Sequence, residues 1–278
     1  AFHGGGGSAE SAPRYFRLNK KSDEEGFIVV YPQGTGKEII GMIFATWNAG
    51  RCCAPAMDNK VDDVGFVRKM IAKIKKDFAI DEKRIYMTGF SNGGQMVFRL
   101  ACEMSDVFAA AAPGGSVGTF DDCRPKKPVP IFYFDGTQDP CSPYEGGKAC
   151  GGCFGEFFVS VGVPIKDMNY YSCDSVQVYI EKWKNRNGCT EAPRVTFAKG
   201  NTTCMTYGGC KDNAEVTQCI TQGGGHAWPG NKEYEIEACH RSPYGYVCRQ
   251  WEKAIGPLIL DYDVTDAIWE FFKKHTLR

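Results

Sequence analysis

The stretch from Arg84 to Gly94 reads RIYMTGFSNGG, and its reading decides the fold. Arg84 to Thr88 is a short run of strand character, and the residues from Asn92 to about Met104 carry the apolar spacing of a helix. Between them Ser91 lies in Gly89-x-Ser91-x-Gly93. A strand-to-helix turn this sharp leaves no room for side chains at the two flanking positions. It also holds the residue at its apex in a strained conformation that presents the side chain outward. In a chain with 33 glycines the bare pattern is only a glycine-bounded turn. With a strand before it and a helix after it, the pattern is the setting of a nucleophile elbow, and Ser91 is the candidate nucleophile.

Working outward, Gly26 to Pro32 (GFIVVYP) reads as a buried strand ended by proline. Val64, Val67, Ile71, Ile74 and Phe78 recur at spacings of 3, 4, 3 and 4 with lysines between them, which predicts an amphipathic helix. Phe108 to Ala112 and Val129 to Phe134 are further candidate strands, the second running into Asp135-Gly136-Thr137-Gln138-Asp139-Pro140. From Pro140 to about Cys173 the chain is rich in Gly, Cys and Tyr without a clean period. It reads as a disulfide-held excursion on the rim of a pocket, a cysteine-rich insertion over residues 140–173. Val176 to Trp183 resumes a helical pattern, Val216 to Thr221 reads as a strand leading into Gly223-Gly224-Gly225-His226, and Asp263 to His275 closes the chain as an amphipathic helix. Strands alternating with helices predict one α/β domain over residues 1–278, with a mainly parallel central sheet and helices on both faces. In such a sheet active-site residues gather in the loops beyond the carboxyl ends of the strands.

A serine hydroxyl is almost wholly protonated near neutral pH, so it needs a base within hydrogen-bond reach, and the base needs a partner that fixes its tautomer. The chain has four histidines. His275 lies among lysines in the final helix and reads as a solvated or capping residue, and His240 sits in a loop beside Cys239. His226 follows a strand through three glycines, a loop able to bring an imidazole to the upper edge of the sheet, and is the candidate base. Asp139 is the candidate acid, placed far enough out in its loop to reach the other ring nitrogen; Asp135, nearer the strand, is its rival. Serine, acid, histidine is the chain order of α/β-hydrolases. His3-Gly4-Gly5-Gly6-Gly7 resembles the HGGG-type loop that offers a backbone N–H to an oxyanion, which makes Gly5 and Asn92 the candidate oxyanion donors. One such donor is worth about 3 to 4 kcal/mol of transition-state stabilisation. His3 itself is expected to orient this loop.

A domain of 278 residues needs no staple to make a core, so its 14 cysteines point to an oxidising compartment, with disulfide-rich surface loops and a secreted chain. Cys150-Gly-Gly-Cys153 lacks the second ligand pair of a structural zinc site and the helix start of a redox motif, and reads as disulfide. Cys52 and Cys53, adjacent in sequence, are expected to pair with different distant partners. Asn201-Thr202-Thr203 fits the N-glycosylation acceptor pattern, with Asn201 as its site. Lys plus Arg equals Asp plus Glu at 33 each, so no overall field favours nucleic acid, an anionic membrane or a polyanion. No apolar run approaches the roughly 20 residues of a membrane span. The chain opens on Ala1, and processing or truncation upstream is expected.

Several separated motifs in one order carry a resemblance. GFSNGG around Ser91, DGTQDP around Asp139, GGGHAWPG around His226, Trp47-Asn48-Ala49-Gly50 through Val61-Asp62-Asp63-Val64, and the final IGPLILDYDVTDAIWEFFKKH resemble the extracellular polyhydroxybutyrate-depolymerase and feruloyl-esterase family, over nearly the whole chain. The resemblance implies an α/β-hydrolase fold and a serine esterase with Ser91, Asp139 and His226 in the catalytic roles. It implies Trp47 and Trp228 lining the acyl pocket, and neither metal nor organic cofactor. A feruloyl-type ester of plant cell-wall sugar is the first expected substrate and a hydroxyalkanoate polyester the second. A non-catalytic extracellular binding or structural homologue is the alternative of another class. Members of the family carry one or two strands before the HG loop, whereas this chain begins almost at it, so the first edge of the sheet is expected to be absent or to lie upstream.

Overall fold

The computed structural model describes residues 1–39, 42–162, 170–232, 239 and 241–277. His240 lies outside the described residues. The chain runs α1 (Ala12–Phe16), α2 (Leu18–Glu25), β1 (Thr35–Ile39), β2 (Met42–Thr46), α3 (Asp63–Asp77), β3 (Tyr86–Phe90), α4 (Asn92–Glu103), β4 (Ala110–Gly114) and β5 (Ile131–Gly136). It continues through β6 (Gly147–Cys150), α5 (Cys153–Ser160), β7 (Tyr171–Cys173), α6 (Val176–Asn187), β8 (Arg194–Lys199), β9 (Thr202–Tyr207), β10 (Val216–Thr221), α7 (Tyr246–Ile255) and α8 (Val264–Phe272).

The central sheet has six strands in the order β3-β4-β5-β10-β9-β8. Its first four strands are parallel and its last two antiparallel. Side chains on β5 sort by the two-residue period of a strand. Ile131 and Tyr133 join one core with Val64, Val67, Leu100, Ile180 and Trp183 from α3, α4 and α6. Phe132 and Phe134 join the other with Phe16, Ile268, Phe271 and Phe272 from α1 and α8. Both faces of the parallel part are therefore covered, as the alternation of strands and helices requires. The helices start where their polar residues allow: Asp62 accepts from the N–H of Gly65, Ser175 from Val178 and Asp263 from Thr265, each side chain capping an otherwise orphaned donor.

Several expectations are corrected. Gly26 to Pro32 is not a ladder strand; Ile28 is 51% exposed and Val30 contributes its carbonyl to the Ala1 amino group at 2.9 Å. β-branched residues make an extended segment, but a strand needs a neighbouring backbone to pair with. The final helix stops at Phe272, and His275 beyond it is buried, its ring 4.6 Å from that of Phe271 and its Nε2 3.3 Å from Glu215 Oε1. The β8–β9 hairpin was not foreseen. β8 is exposed along its whole length, so burial imposed no pattern on RVTFAK. All 14 cysteines are paired, and Cys52 and Cys53 are bonded to each other, the remaining twelve pairing among themselves. Among the described residues no helix is long and apolar enough to cross a membrane.

Candidate active site

Ser91 stands between β3 and α4 with φ 56° and ψ −124°, a left-handed conformation that a non-glycine residue adopts only where its surroundings impose it. Its N–H donates to Gly114 O at 2.9 Å, and its carbonyl accepts from Gln95 N at 3.0 Å as α4 begins. The flanking glycines are there for close approach. A Cβ on Gly93 would lie 2.0 Å from Phe2 O and 2.5 Å from His3 O, and one on Gly89 would lie 2.5 Å from Gly93 O.

The glycine loop at the start of the chain lies against this elbow. Ideal Cβ positions on Gly4 and Gly5 fall 3.4 Å from Ser91 Cβ and 3.7 Å from Asn92 Cβ. The N–H groups of Gly5 and Asn92 take part in no backbone hydrogen bond among the described residues. His3 holds the loop in place. Gly34 N–H donates to its Nε2 at 3.1 Å, so the proton sits on Nδ1, which donates to Gly4 O at 2.8 Å. Burial lowers the His3 pKa to about 4, which keeps the ring neutral and the tautomer fixed. Trp47 Nε1 donates to His3 O at 2.9 Å, while Trp47 N–H donates to Asn92 Oδ1 at 2.7 Å and Asn92 Nδ2 to Trp47 O at 3.1 Å. The loop and the elbow are thus joined through one buried tryptophan. Asp63, at the start of α3, accepts from Asn48 N–H at 2.7 Å and fixes the chain that follows Trp47. Burial raises the Asp63 pKa, against the lowering effects of that N–H and of nearby Arg99.

Asp139 and His226 meet at the carboxyl ends of β5 and β10. His226 Nδ1 lies 2.6 Å from one carboxylate oxygen of Asp139, and the other oxygen accepts from the N–H groups of Cys141 at 2.7 Å and Ser142 at 2.8 Å. That arrangement fixes Asp139 as acceptor and puts the imidazole proton on Nδ1, which leaves Nε2 bare. Nε2 is buried and without a hydrogen-bond partner among the described residues. The ring packs 4.7 Å from Phe90, the residue before Ser91, and the His226 loop is tied down by Gly225 N–H to Pro257 O (2.8 Å) and His226 N–H to Ile255 O (2.5 Å). No Ser91–His226 hydrogen bond is made among the described residues. Such bonds are commonly loose without substrate and tighten when it binds.

Asp135 is buried and makes its hydrogen bonds to other groups. It accepts from Tyr133 hydroxyl at 2.5 Å and Gly136 N–H at 2.8 Å, and burial together with the charge of Asp139 pushes its pKa well up. Asp139, Cys141 and His226 offer ligand atoms within 4.8 Å of one another, but the Cys141 sulfur is bonded to Cys153 and has no thiolate to give, so the set does not fit a metal ion.

Trp47 and Trp228 do not line an acyl pocket. They are 0% and 1% exposed. Trp47 packs between Phe2 and His3, and Trp228 among Phe16, Phe134 and Phe90 with its Nε1 donating to Thr265 Oγ1 at 3.1 Å. Each indole is buried with its N–H satisfied, as a core tryptophan requires. Sequence reading missed the polar group around Gln95. One turn after Ser91, Gln95 donates to Ser116 Oγ at 2.8 Å and to the hydroxyl of Tyr171, which the excursion brings in on β7. The i, i+4 spacing from Ser91 was the available signal.

Comparison with known proteins adds the following. The profile of the prolyl oligopeptidase family matches residues 14–122, the segment that carries the elbow. Feruloyl esterase B of Piromyces equi is 34% identical over 226 residues, covering 80% of this chain and 38% of that protein. The putative esterase NocK of Nocardia uniformis subsp. tsuyamanensis is 27% identical, covering 82% and 64%. The bifunctional acetylxylan esterase/xylanase XynS20E of Neocallimastix patriciarum is 28% identical, covering 74% and 25%. The chain therefore spans less than two thirds of each of these relatives. Among solved structures, the acetyl xylan esterase from Aspergillus awamori superposes with a TM-score of 0.56 at 14% identity, covering 87% of this chain and 86% of that one. With a serine elbow at the end of a parallel strand, and with that backbone likeness, the chain has the α/β-hydrolase fold, and over most of its length it is similar to feruloyl esterase B of Piromyces equi.

Proposed function

We propose that the chain is a secreted serine carboxyl-ester hydrolase that works through an acyl-enzyme, acting on feruloyl-type esters. The observation that carries this reading is a buried imidazole with Nδ1 on Asp139 and Nε2 bare, packed against the elbow. His226 Nε2 takes the proton as Ser91 Oγ attacks the ester carbonyl, and Asp139 stabilises the imidazolium that forms. The N–H groups of Gly5 and Asn92 hold the oxyanion. His226 then gives its proton to the departing alcohol, and water repeats the sequence to release the acid.

Relatives named as feruloyl and acetylxylan esterases support a cell-wall ester over a polyester. Complete pairing of 14 cysteines supports an oxidising, extracytoplasmic destination. Asn201, exposed in the β8–β9 turn, is the proposed glycan site; a mass loss on deglycosylation of the wild type but not of Asn201→Gln checks it.

The central test is burst kinetics with an aryl hydroxycinnamate, together with labelling by a fluorophosphonate. The wild type is expected to show a burst and a label on Ser91, with both lost in Ser91→Ala. Equal turnover in the two proteins would remove Ser91 from the mechanism. A wild type that neither turns over nor labels would favour a non-catalytic binding homologue.

A further inference from the structure

With Trp47 and Trp228 in the core, the rings that stand beside the site are others. Phe44 of β2 lies against the glycine loop, where a Cβ on Gly6 would fall 3.3 Å from its ring. It faces Phe158 of α5 with ring centroids 5.6 Å apart. Phe154, one helical turn earlier on the same face of α5, meets the His226 imidazole in a T-shaped contact at 6.2 Å and packs on Trp251 of α7 at 5.4 Å. All four are half-buried, so each keeps ring surface open to solvent. Behind them Phe157, Ala254 and Ile255 close an apolar cluster that joins α5 to α7.

This run of rings begins at the oxyanion loop and ends over the base, and it is held rigidly. Cys153, the first residue of α5, is bonded to Cys141, two residues beyond Asp139; Cys239–Cys248 ties the first turn of α7; and Cys150–Cys173 closes the rest of the excursion. A flat aromatic group laid along the half-buried faces of these rings gains stacked or edge contacts with several of them. An acetyl group is too small to span them.

Resting on the esterase reading above, we propose that Phe44, Phe154, Phe158 and Trp251 form an acyl slot for a planar aryl group, and that α5 of the cysteine-held excursion is the specificity element of the enzyme. The contribution of a ring is selective for the aryl acyl chain and is read as a ratio of two substrates with the same leaving group.

Two measurements test it. The first compares kcat/KM for 4-nitrophenyl ferulate and 4-nitrophenyl acetate in the wild type, Phe158→Ala and Phe44→Ala, with Phe158→Leu standing in should the alanine variant fail to fold by circular dichroism. The ferulate-to-acetate ratio is expected to fall about tenfold in each, chiefly through KM for the ferulate ester. The second titrates Ser91→Ala with methyl ferulate while following tryptophan fluorescence. Quenching is expected to saturate, to weaken about tenfold on adding Phe158→Ala, and to lose most of its amplitude on adding Trp251→Phe. A ratio within twofold of wild type in folded variants, or a titration indifferent to Phe158, overturns the slot. A wild type that hydrolyses neither ester defeats the esterase reading instead, and the titration then decides the slot alone.

Discussion

Gly93→Ala tests whether the glycine loop must touch the elbow. A Cβ at Gly93 would stand 2.0 Å from Phe2 O and 2.5 Å from His3 O, where real contacts are not under 3.0 Å, so the loop must retreat by about 1 Å (3.0 minus 2.0). Neither atom is the end of a pliable side chain. Both belong to backbone pinned from the other side, through Phe2 N–H to Thr88 O at 2.9 Å and Trp47 Nε1 to His3 O at 2.9 Å. Overpacking of this kind costs about 1 to 3 kcal/mol of stability. The same retreat carries the Gly5 N–H off the oxyanion position, and a lost donor there costs about a hundredfold to a thousandfold in kcat. Steady-state kinetics with 4-nitrophenyl acetate, alongside a thermal melt, reads both effects. The expected result is a kcat drop of about a hundredfold or more with a smaller change in KM and a melting temperature lower by several degrees. A folded Gly93→Ala enzyme with kcat within threefold of wild type would refute the role given to the loop.

Asp139→Asn keeps the geometry but offers His226 the wrong partner for Nδ1–H, so kcat is expected to fall about ten-thousandfold with KM little altered, as steady-state kinetics will show. Asp135→Asn acts through stability. Burial and the charge of Asp139 raise the Asp135 pKa well above 3.8, so the folded chain keeps a proton that the unfolded chain gives up, and stability falls as pH climbs through and above 3.8. A neutral Asn avoids that loss, so its melting temperature relative to wild type is expected to be higher at pH 7 than at pH 3; equal differences at the two pH values would contradict the assignment. Replacing Cys141 and Cys153 by alanine opens a bridge of sequence separation 12, which closed a loop worth about 3 kcal/mol. Urea midpoints and limited proteolysis of residues 140–173 check that loss.

What was legible in the sequence was what local chemistry enforces. The elbow declared itself because only glycine fits two residues to either side of Ser91, and α3 because its apolar residues recur at helical spacing. The reach of His226 to Asp139 followed from both lying beyond strand ends. What stayed hidden depends on partners far along the chain. Trp47 and Trp228 were assigned by resemblance to the acyl pocket and are buried in the core instead, because an indole serves a core as well as a pocket and the sequence does not say which face it meets. The residues from Gly26 to Pro32 have strand propensity without a ladder to join, and β8 is a strand without the burial that would mark it. The aromatic face of α5 shows a Phe at 154 and at 158, yet nothing in that spacing says which surface it meets.

Two kinds of rigidity serve the one site. The chemistry sits on elements ordered by the core: Ser91 on the strained turn above β3, and the glycine loop on Trp47, whose indole and backbone together contact His3 and Asn92. Burial of apolar area supplies that order. The rim draws on it less, because the apolar cluster where α5 meets α7 has Phe157, Ala254 and Ile255 as its buried residues. There the order is covalent, with Cys141–Cys153, Cys150–Cys173 and Cys239–Cys248 closing sequence separations of 12, 23 and 9 around Phe154, Tyr171 and Trp251. Short loops closed in this way lose conformational entropy in the unfolded chain and hold their side chains in one place in the folded one. A core large enough to fold 278 residues needs no such bridges for itself. Mild reduction should therefore blur the choice of acyl group before it abolishes hydrolysis of a small ester, since the machinery that breaks the bond and the wall that selects the substrate are ordered by separate means.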